Sequence, residues 1–226
     1  MGVLGDNALE ARLDGLHQRS EGQEAATRAW FDDVYKHGPP QGEAATARIK
    51  TFLADKMVAL EKDKAEFCHQ LIRAMGARRV VEIGTSYGVS TLYLASAVRE
   101  TIAAGGEGGG VIATEYEPDK AAAARALFAD AGLEPFIDLR EGDLRETLKD
   151  LSGPIDFVLM DIWIEAVMPA AELLVPRLRT GGVIIADNTA SHRAAYQPYL
   201  DYLSANGFSS VTLPFHGGLE MSVKGG

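Results

Sequence analysis

Arg79-Val80-Val81-Glu82-Ile83-Gly84-Thr85-Ser86-Tyr87-Gly88-Val89-Ser90-Thr91-Leu92 is the stretch whose reading decides the fold. The run Val80, Val81, Ile83 predicts a strand buried on both faces, as parallel strands of α/β domains are. Gly84 and Gly88 let the backbone turn tightly and approach a ligand closely, because neither carries a Cβ. Ser86 and Ser90 fall where the next helix opens, so hydroxyls and free backbone N–H groups border the space above the strand. Strand, turn and helix together make a binding site at the carboxyl end of a first strand.

The spacing of the glycines narrows the ligand. A dinucleotide fingerprint is G-x-G-x-x-G, with helix N–H groups laid against a pyrophosphate. Here the pattern is Glu82-x-Gly84-x-x-x-Gly88, with a carboxylate two residues before the first glycine. That carboxylate would repel a pyrophosphate and suits a cationic amino-acid moiety, such as the α-ammonium and sulfonium of S-adenosylmethionine. The segment resembles motif I of the class I S-adenosylmethionine-dependent methyltransferases.

Further along, strand and helix alternate. Val111–Thr114, Phe136–Leu139, Ile155–Met160 and Val183–Ala186 read as buried strands, each followed by a helical stretch. Short helices are expected at 144–150, from Asp161 to about Leu178 with Gly181-Gly182 marking the end, and from near Ser191. The cluster Gly105-Gly106-Glu107-Gly108-Gly109-Gly110 precedes a strand, whereas a phosphate loop would follow one, so it reads as a flexible loop. Phe208–Leu213 and Leu219–Lys224, joined through His216-Gly217-Gly218, read as an antiparallel hairpin. The expected fold is α/β: a Rossmann-like three-layer sandwich of the class I methyltransferase type, with a seven-stranded, mostly parallel sheet closed by that hairpin.

Residues 1–60 are expected to form accessory helices, and 61–226 the S-adenosylmethionine-binding domain. Leu9, Leu13, Leu16, Trp30, Phe31 and Val34 recur at helical spacing in one or two helices, and Gly38-Pro39-Pro40-Gln41-Gly42 breaks the pattern. A second helix is expected over 43–59 and a third over 63–75, with Gly76 as its stop. The N-terminal helices serve either packing and homodimer assembly or a lid over the substrate.

An acid stands at or just after every parallel strand: Glu82, Glu115, Asp143, Asp161 and Asp187-Asn188. Ligands of open parallel sheets bind at the carboxyl ends of the strands, so these side chains converge on one crevice. Glu115 is placed to accept from ribose hydroxyls. Asp143, after Gly142, either accepts from an adenine amino group or caps the helix behind it. Trp163 either stacks on adenine or packs its helix. Three oxygen ligands from two neighbouring strand ends, Asp161, Asp187 and Asn188, suit a hard divalent ion such as Mg²⁺.

Leu159-Met160-Asp161-Ile162-Trp163 with Gly182-Val183-Ile184-Ile185-Ala186-Asp187-Asn188 resembles the metal-dependent O-methyltransferases of the catechol and caffeoyl-coenzyme A type, over about residues 60–224. The resemblance implies methyl transfer to a hydroxyl of a small molecule, and Ile162, Ile164, Val167 and Met168 suggest an apolar entrance that fits an aromatic or lipophilic acceptor. It puts Glu82, Gly84, Ser86, Gly88, Ser90, Glu115 and Asp143 on S-adenosylmethionine-binding positions. Thr85, Tyr116, Gly142, Asp161 and Trp163 are counted with them. Asp161, Asp187 and Asn188 fall on the metal positions, with Asp161 also catalytic. The family's lysine, three residues after the first metal aspartate, is Ile164 here and cannot act as a base. Either the ion alone acidifies the hydroxyl, or another group takes the proton, with His192 nearest in sequence and His216 weaker. Two alternatives stay open: a metal-independent methyltransferase of the same fold, or a protein that binds the cofactor without catalysis.

Composition bounds the partners. The 226 residues carry a formal net charge of -10, which argues against a nucleic-acid backbone as partner. The single cysteine, Cys68, lies in an apolar helical repeat and fits a buried structural thiol in a reducing cytoplasm. No membrane partner is expected, because no apolar run reaches the length of a span.

Overall fold

The computed structural model describes residues 2–36 and 43–226; the predicted break at 38–42 lies outside them. The elements run α1 (Asn7–Tyr35), α2 (Glu43–Leu53), α3 (Lys62–Met75), β1 (Arg79–Ile83), α4 (Val89–Ala103), β2 (Gly110–Glu115), α5 (Pro118–Asp130), β3 (Ile137–Glu141), α6 (Leu144–Thr147) and β4 (Ile155–Met160). Then follow α7 (Ile164–Leu174), β5 (Leu178–Asp187), α8 (Arg193–Ala205), β6 (Phe208–Leu213) and β7 (Leu219–Lys224). The sheet order is β3-β2-β1-β4-β5-β7-β6. β1 to β5 pair in parallel, and β7 runs antiparallel to both β5 and β6.

Period-two alternation feeds two cores, one on each face of the sheet. Val80, Phe157, Leu159, Val183 and Ile185 enter one, with residues of α3 and α4 and with Leu9, Leu13 and Leu16 of α1. Val81, Ile83, Val158, Met160, Ile184 and Ala186 enter the other, with residues of α6, α7 and α8. Both faces are therefore covered, which is why the central strands read as unbroken apolar runs.

Register sets the functional rim. Ile83 lies beside Thr114 on one flank and Met160 on the other, and Met160 lies beside Ala186. The residues that follow, Gly84, Glu115, Asp161 and Asp187, thus leave the sheet at one edge. The order reverses between β1 and β4, where a crevice opens.

Several boundaries differ from expectation. A single helix occupies 7–35. The second ends at Leu53, not Ala59, because residues 57–59 are tied to α1 instead: Ser20 Oγ donates to the Met57 carbonyl at 2.8 Å, and Gln23 Oε1 accepts from Met57 N at 3.1 Å. α6 stops at Thr147, and β3 starts at Ile137 after a 3-10 turn at 134–136. α7 ends at Leu174, and Gly181-Gly182 lie inside β5, which begins at Leu178. A Cβ on Gly182 would stand 2.9 Å from the Arg179 carbonyl oxygen, so the glycine serves an irregular strand start that sequence punctuation mimics. Cys68 is buried and free, as expected.

Candidate active site

The turn after β1 is built on two backbone conformations that favour glycine. Gly84 has φ +96°, and a Cβ there would run into the carbonyl of Asp161. Gly88 has φ +85° and opens α4. Between them Ser86 also takes a positive φ, 51°. Its N–H donates to Glu115 Oε2 at 2.7 Å, and Glu117 N–H donates to Glu115 Oε1 at 2.8 Å. Glu115 therefore holds the ends of β1 and β2 in register with its own carboxylate.

Glu82 is completely buried. The Thr85 and Thr91 hydroxyls both donate to its Oε2, while Oε1 has no partner. Ser86 Oγ is likewise buried and unpartnered. A desolvated carboxylate oxygen without a donor costs several kcal/mol unless a ligand supplies one, on the order of what buried unpaired charges cost. Burial pushes the Glu82 carboxyl above its usual range, opposed by the Ser90, Thr91 and Thr85 hydroxyls.

Asp161 and Asp187 close the crevice. Burial and then the neighbouring Asp187 and Glu82 hold the Asp161 carboxyl well above the usual range. Asp187 is 4 % exposed; burial raises its carboxyl, and Lys64 opposes the rise. Its two oxygens are engaged: Lys64 Nζ donates to Oδ1 at 2.6 Å and Asn188 Nδ2 to Oδ2 at 3.0 Å. Lys64 also pairs with Glu61 Oε2 at 2.7 Å, and Glu61 Oε1 lies 3.3 Å from His216 Nδ1. A small cavity at the glycine turn is lined by Met57–Leu60, Gly84–Tyr87, Val89, Ser90 and Asp161.

The structure thus brings Glu82, Gly84, Thr85, Ser86, Gly88, Ser90, Glu115, Asp161, Asp187 and Asn188 to one rim. Asp143 caps α6 through Arg145 N–H at 2.9 Å and pairs with the Arg145 guanidinium, which lowers its carboxyl to about 2. Gly142, at φ +119°, donates its N–H to the Glu115 carbonyl and carries Asp143 toward the rim. Tyr116 and Trp163 are exposed, 68 % and 39 %, and belong to neither core. His192 is exposed at the start of α8, the helix-opening role. Ile162, Ile164 and Met168 are half-buried and pack against the second core, and Val167 is buried in it.

Two features escaped the sequence reading. One is the strap 57–60 over the glycine turn. The other is Lys64, which shares the helical row Lys64, Cys68, Ile72, all 0 % exposed. A lysine in register with two buried apolar residues was the available signal, since such a lysine needs a buried acid.

Mg²⁺ needs near-octahedral oxygen ligands at about 2.0–2.1 Å. Asp187 already has both oxygens occupied by donors, one of them a buried ammonium. The residues as placed do not fit a divalent ion.

Glu82 also yields a pH prediction. A ligand cation placed against it needs the ionised form, and burial raises its carboxyl, so affinity for such a ligand is expected to be lost as pH falls through that raised value. Calorimetric titration of S-adenosylhomocysteine is expected to show the dissociation constant rising about tenfold per pH unit once below it, one proton being taken up. Affinity that is flat down to the ordinary carboxylate range contradicts this.

Residues 81–189 match the family described as a methyltransferase domain. Among curated relatives, a catechol O-methyltransferase of Mycobacterium tuberculosis is 33 % identical over 132 residues, 58 % of this chain and 57 % of that protein. A flavonoid 3',5'-methyltransferase of Vitis vinifera is 31 % identical over 56 % of this chain and 54 % of its own length. The chain thus spans a little over half the length of these two relatives. Catechol O-methyltransferase B of Danio rerio aligns over 96 % of this chain and 84 % of its own, at 28 % identity. Among solved structures, cofactor-bound Rv0187 from MTB superposes with TM-score 0.66 and 25 % identity, over 87 % of this chain and 95 % of that one.

Proposed function

We propose that this chain, which carries a methyltransferase domain over 81–189 on a class I methyltransferase fold, is an S-adenosylmethionine-dependent O-methyltransferase acting on a small-molecule hydroxyl. The observation that carries the reading is the fully buried Glu82, whose Oε1 has no hydrogen-bond partner, together with the unpartnered Ser86 Oγ four residues on, at the glycine turn between β1 and α4. A ligand with an ammonium group satisfies both. When bound, S-adenosylmethionine supplies an electrophilic methyl group on a sulfonium.

The chain's own residues do the rest. Glu82 takes the α-ammonium, and the acids of the rim favour a cationic ligand electrostatically. Glu115, already fixed by two N–H donors, has lone pairs left for ribose hydroxyls. Trp163 and Tyr116 offer exposed rings, and Asp143 an acceptor, near the adenine position. The strap 57–60 covers the turn and excludes water from it. Asp161 borders the cavity, and its carboxylate accepts the proton that the acceptor hydroxyl loses as its oxygen bonds to the methyl carbon and the carbon–sulfur bond breaks. An aromatic acceptor is preferred on the likeness to catechol and flavonoid enzymes.

The N-terminal region, 1–60, is assigned to packing and self-association as a homodimer: beyond the buried leucines of α1, Trp30 stacks on Phe52 at 4.0 Å. Among the described residues no helix is long and apolar enough to cross a membrane, and the lone buried thiol favours the cytoplasm.

The experiment is mass-spectrometric: the protein with S-adenosylmethionine and a panel of catechols, phenols and acyl-coenzyme A phenolics. A singly methylated product with stoichiometric S-adenosylhomocysteine is expected. In Asp161→Asn, turnover is expected to fall about 10²–10⁴-fold, the range of a lost general base, with cofactor affinity nearly unchanged. Cofactor binding without product on any acceptor would favour the non-catalytic reading.

A further inference from the structure

Lys64 is the most deeply buried cation at the rim and the mechanism above does not use it. Its side chain is 0 % exposed. Helix α3 carries it across the end of β5, 123 residues away in sequence, to 2.6 Å from Asp187 Oδ1, and Glu61 one turn earlier holds it at 2.7 Å. Resting on the methyltransferase reading, we propose that Lys64 is the built-in cation of this site: its ammonium stands at the acid pair Asp161 and Asp187 in place of a divalent ion, and the protein binds no metal there.

The argument is one of occupancy and charge. A single position beside Asp187 Oδ1 cannot hold both an ammonium and a divalent cation. The Lys64 side chain is 0 % exposed, and breaking a buried pair strands an uncompensated charge, which is strongly destabilising. Asn188 completes the blockade by donating its amide to Asp187 Oδ2. A Cβ on Gly217 would stand 2.8 Å from Asn188 Oδ1, so glycine there leaves the amide its room. Lys64 acts through Asp187, so it is a positioning residue. It keeps the charge of the acid pair balanced and holds the Asp187 carboxylate in one place beside Asp161.

The test is Mn²⁺ titration of the full chain saturated with S-adenosylhomocysteine, read by the electron paramagnetic resonance signal of the free ion. The wild type is expected to leave that signal undiminished, and turnover is expected to be unchanged in EDTA. Lys64→Ala, with the acids uncovered, is expected to take up one Mn²⁺ per chain, and Lys64→Arg none. Stoichiometric Mn²⁺ binding by the wild type that disappears in Asp187→Asn overturns the proposal, and this arm needs no variant of Lys64 to fold. A folded Lys64→Ala that still binds no ion overturns it as well. Calorimetry on the same samples separates the two layers: no binding of S-adenosylhomocysteine defeats the methyltransferase reading, whereas binding of both ligands defeats only the role given to Lys64.

Discussion

Glu82→Gln is expected to weaken S-adenosylmethionine binding about a hundredfold or more while leaving the fold intact. Removing one partner of a buried, hydrogen-bonded charge pair costs about 2–5 kcal/mol, and each ~1.4 kcal/mol is tenfold in the dissociation constant. The substitution is close in shape, and the amide oxygen can still accept from Thr85 and Thr91, which now donate to Glu82 Oε2. The carboxyl is already raised by burial in the free protein, so thermal stability is expected to stay the same or rise slightly in the variant. Isothermal titration with the cofactor, beside a melting curve, checks both. A loss of less than tenfold in affinity would move the α-ammonium away from Glu82.

Gly84→Ala is expected to be the most damaging single-atom change at the site. The backbone there sits at φ +96°, where an L side chain is strained, and the new methyl would meet the Asp161 carbonyl, with the carbonyl carbon only 2.9 Å away. That carbonyl belongs to the turn after β4 and cannot swing aside as a flexible side chain would, because Asp161 N–H donates to the Ile83 carbonyl at 3.0 Å. Combined strain and displacement is expected to cost about 3 kcal/mol or more, a fall in melting temperature of roughly 6–12 °C for a domain of this size. Cofactor binding is expected to be lost with it, since the turn that places Glu82 and Ser86 would be displaced. Gly105→Ala makes the control: it too has a positive φ, +115°, but no atom lies within 4 Å of a Cβ there, so it is expected to lose stability modestly and keep cofactor affinity.

The parts of this molecule legible from sequence are those fixed by local chemistry. Val80 to Ile83 declares a strand because both faces meet apolar layers, and Gly84 and Gly88 declare the turn because other residues would clash there. The acids at the strand ends could be placed on one rim from the alternation of strand and helix alone. What the sequence hides is anything made by long-range approach. Glu43 to Ala59 has helical composition throughout, yet the chain leaves the helix at Leu53 because Ser20 and Gln23 of α1 capture the backbone of Met57 and Ala59. Gly181-Gly182 has the appearance of a helix stop and is instead the irregular opening of β5. Lys64 reads as one more charged residue on α3 until its row with Cys68 and Ile72 is noticed, and even then its acid partner cannot be named. The divalent-ion reading of Asp161, Asp187 and Asn188 lacked that one lysine, whose charge changes what the three oxygens can hold.

The measurement closest to the central claim, that the acids of this rim receive a cationic adenosyl ligand, is a crystal structure of the protein with S-adenosylhomocysteine. Electron density for the amino-acid moiety against Glu82 Oε1 and Ser86, with the ribose hydroxyls on Glu115, is the predicted result. Ligand density at another place on the sheet, or a saturated crystal whose Glu82 remains without a partner, would contradict it.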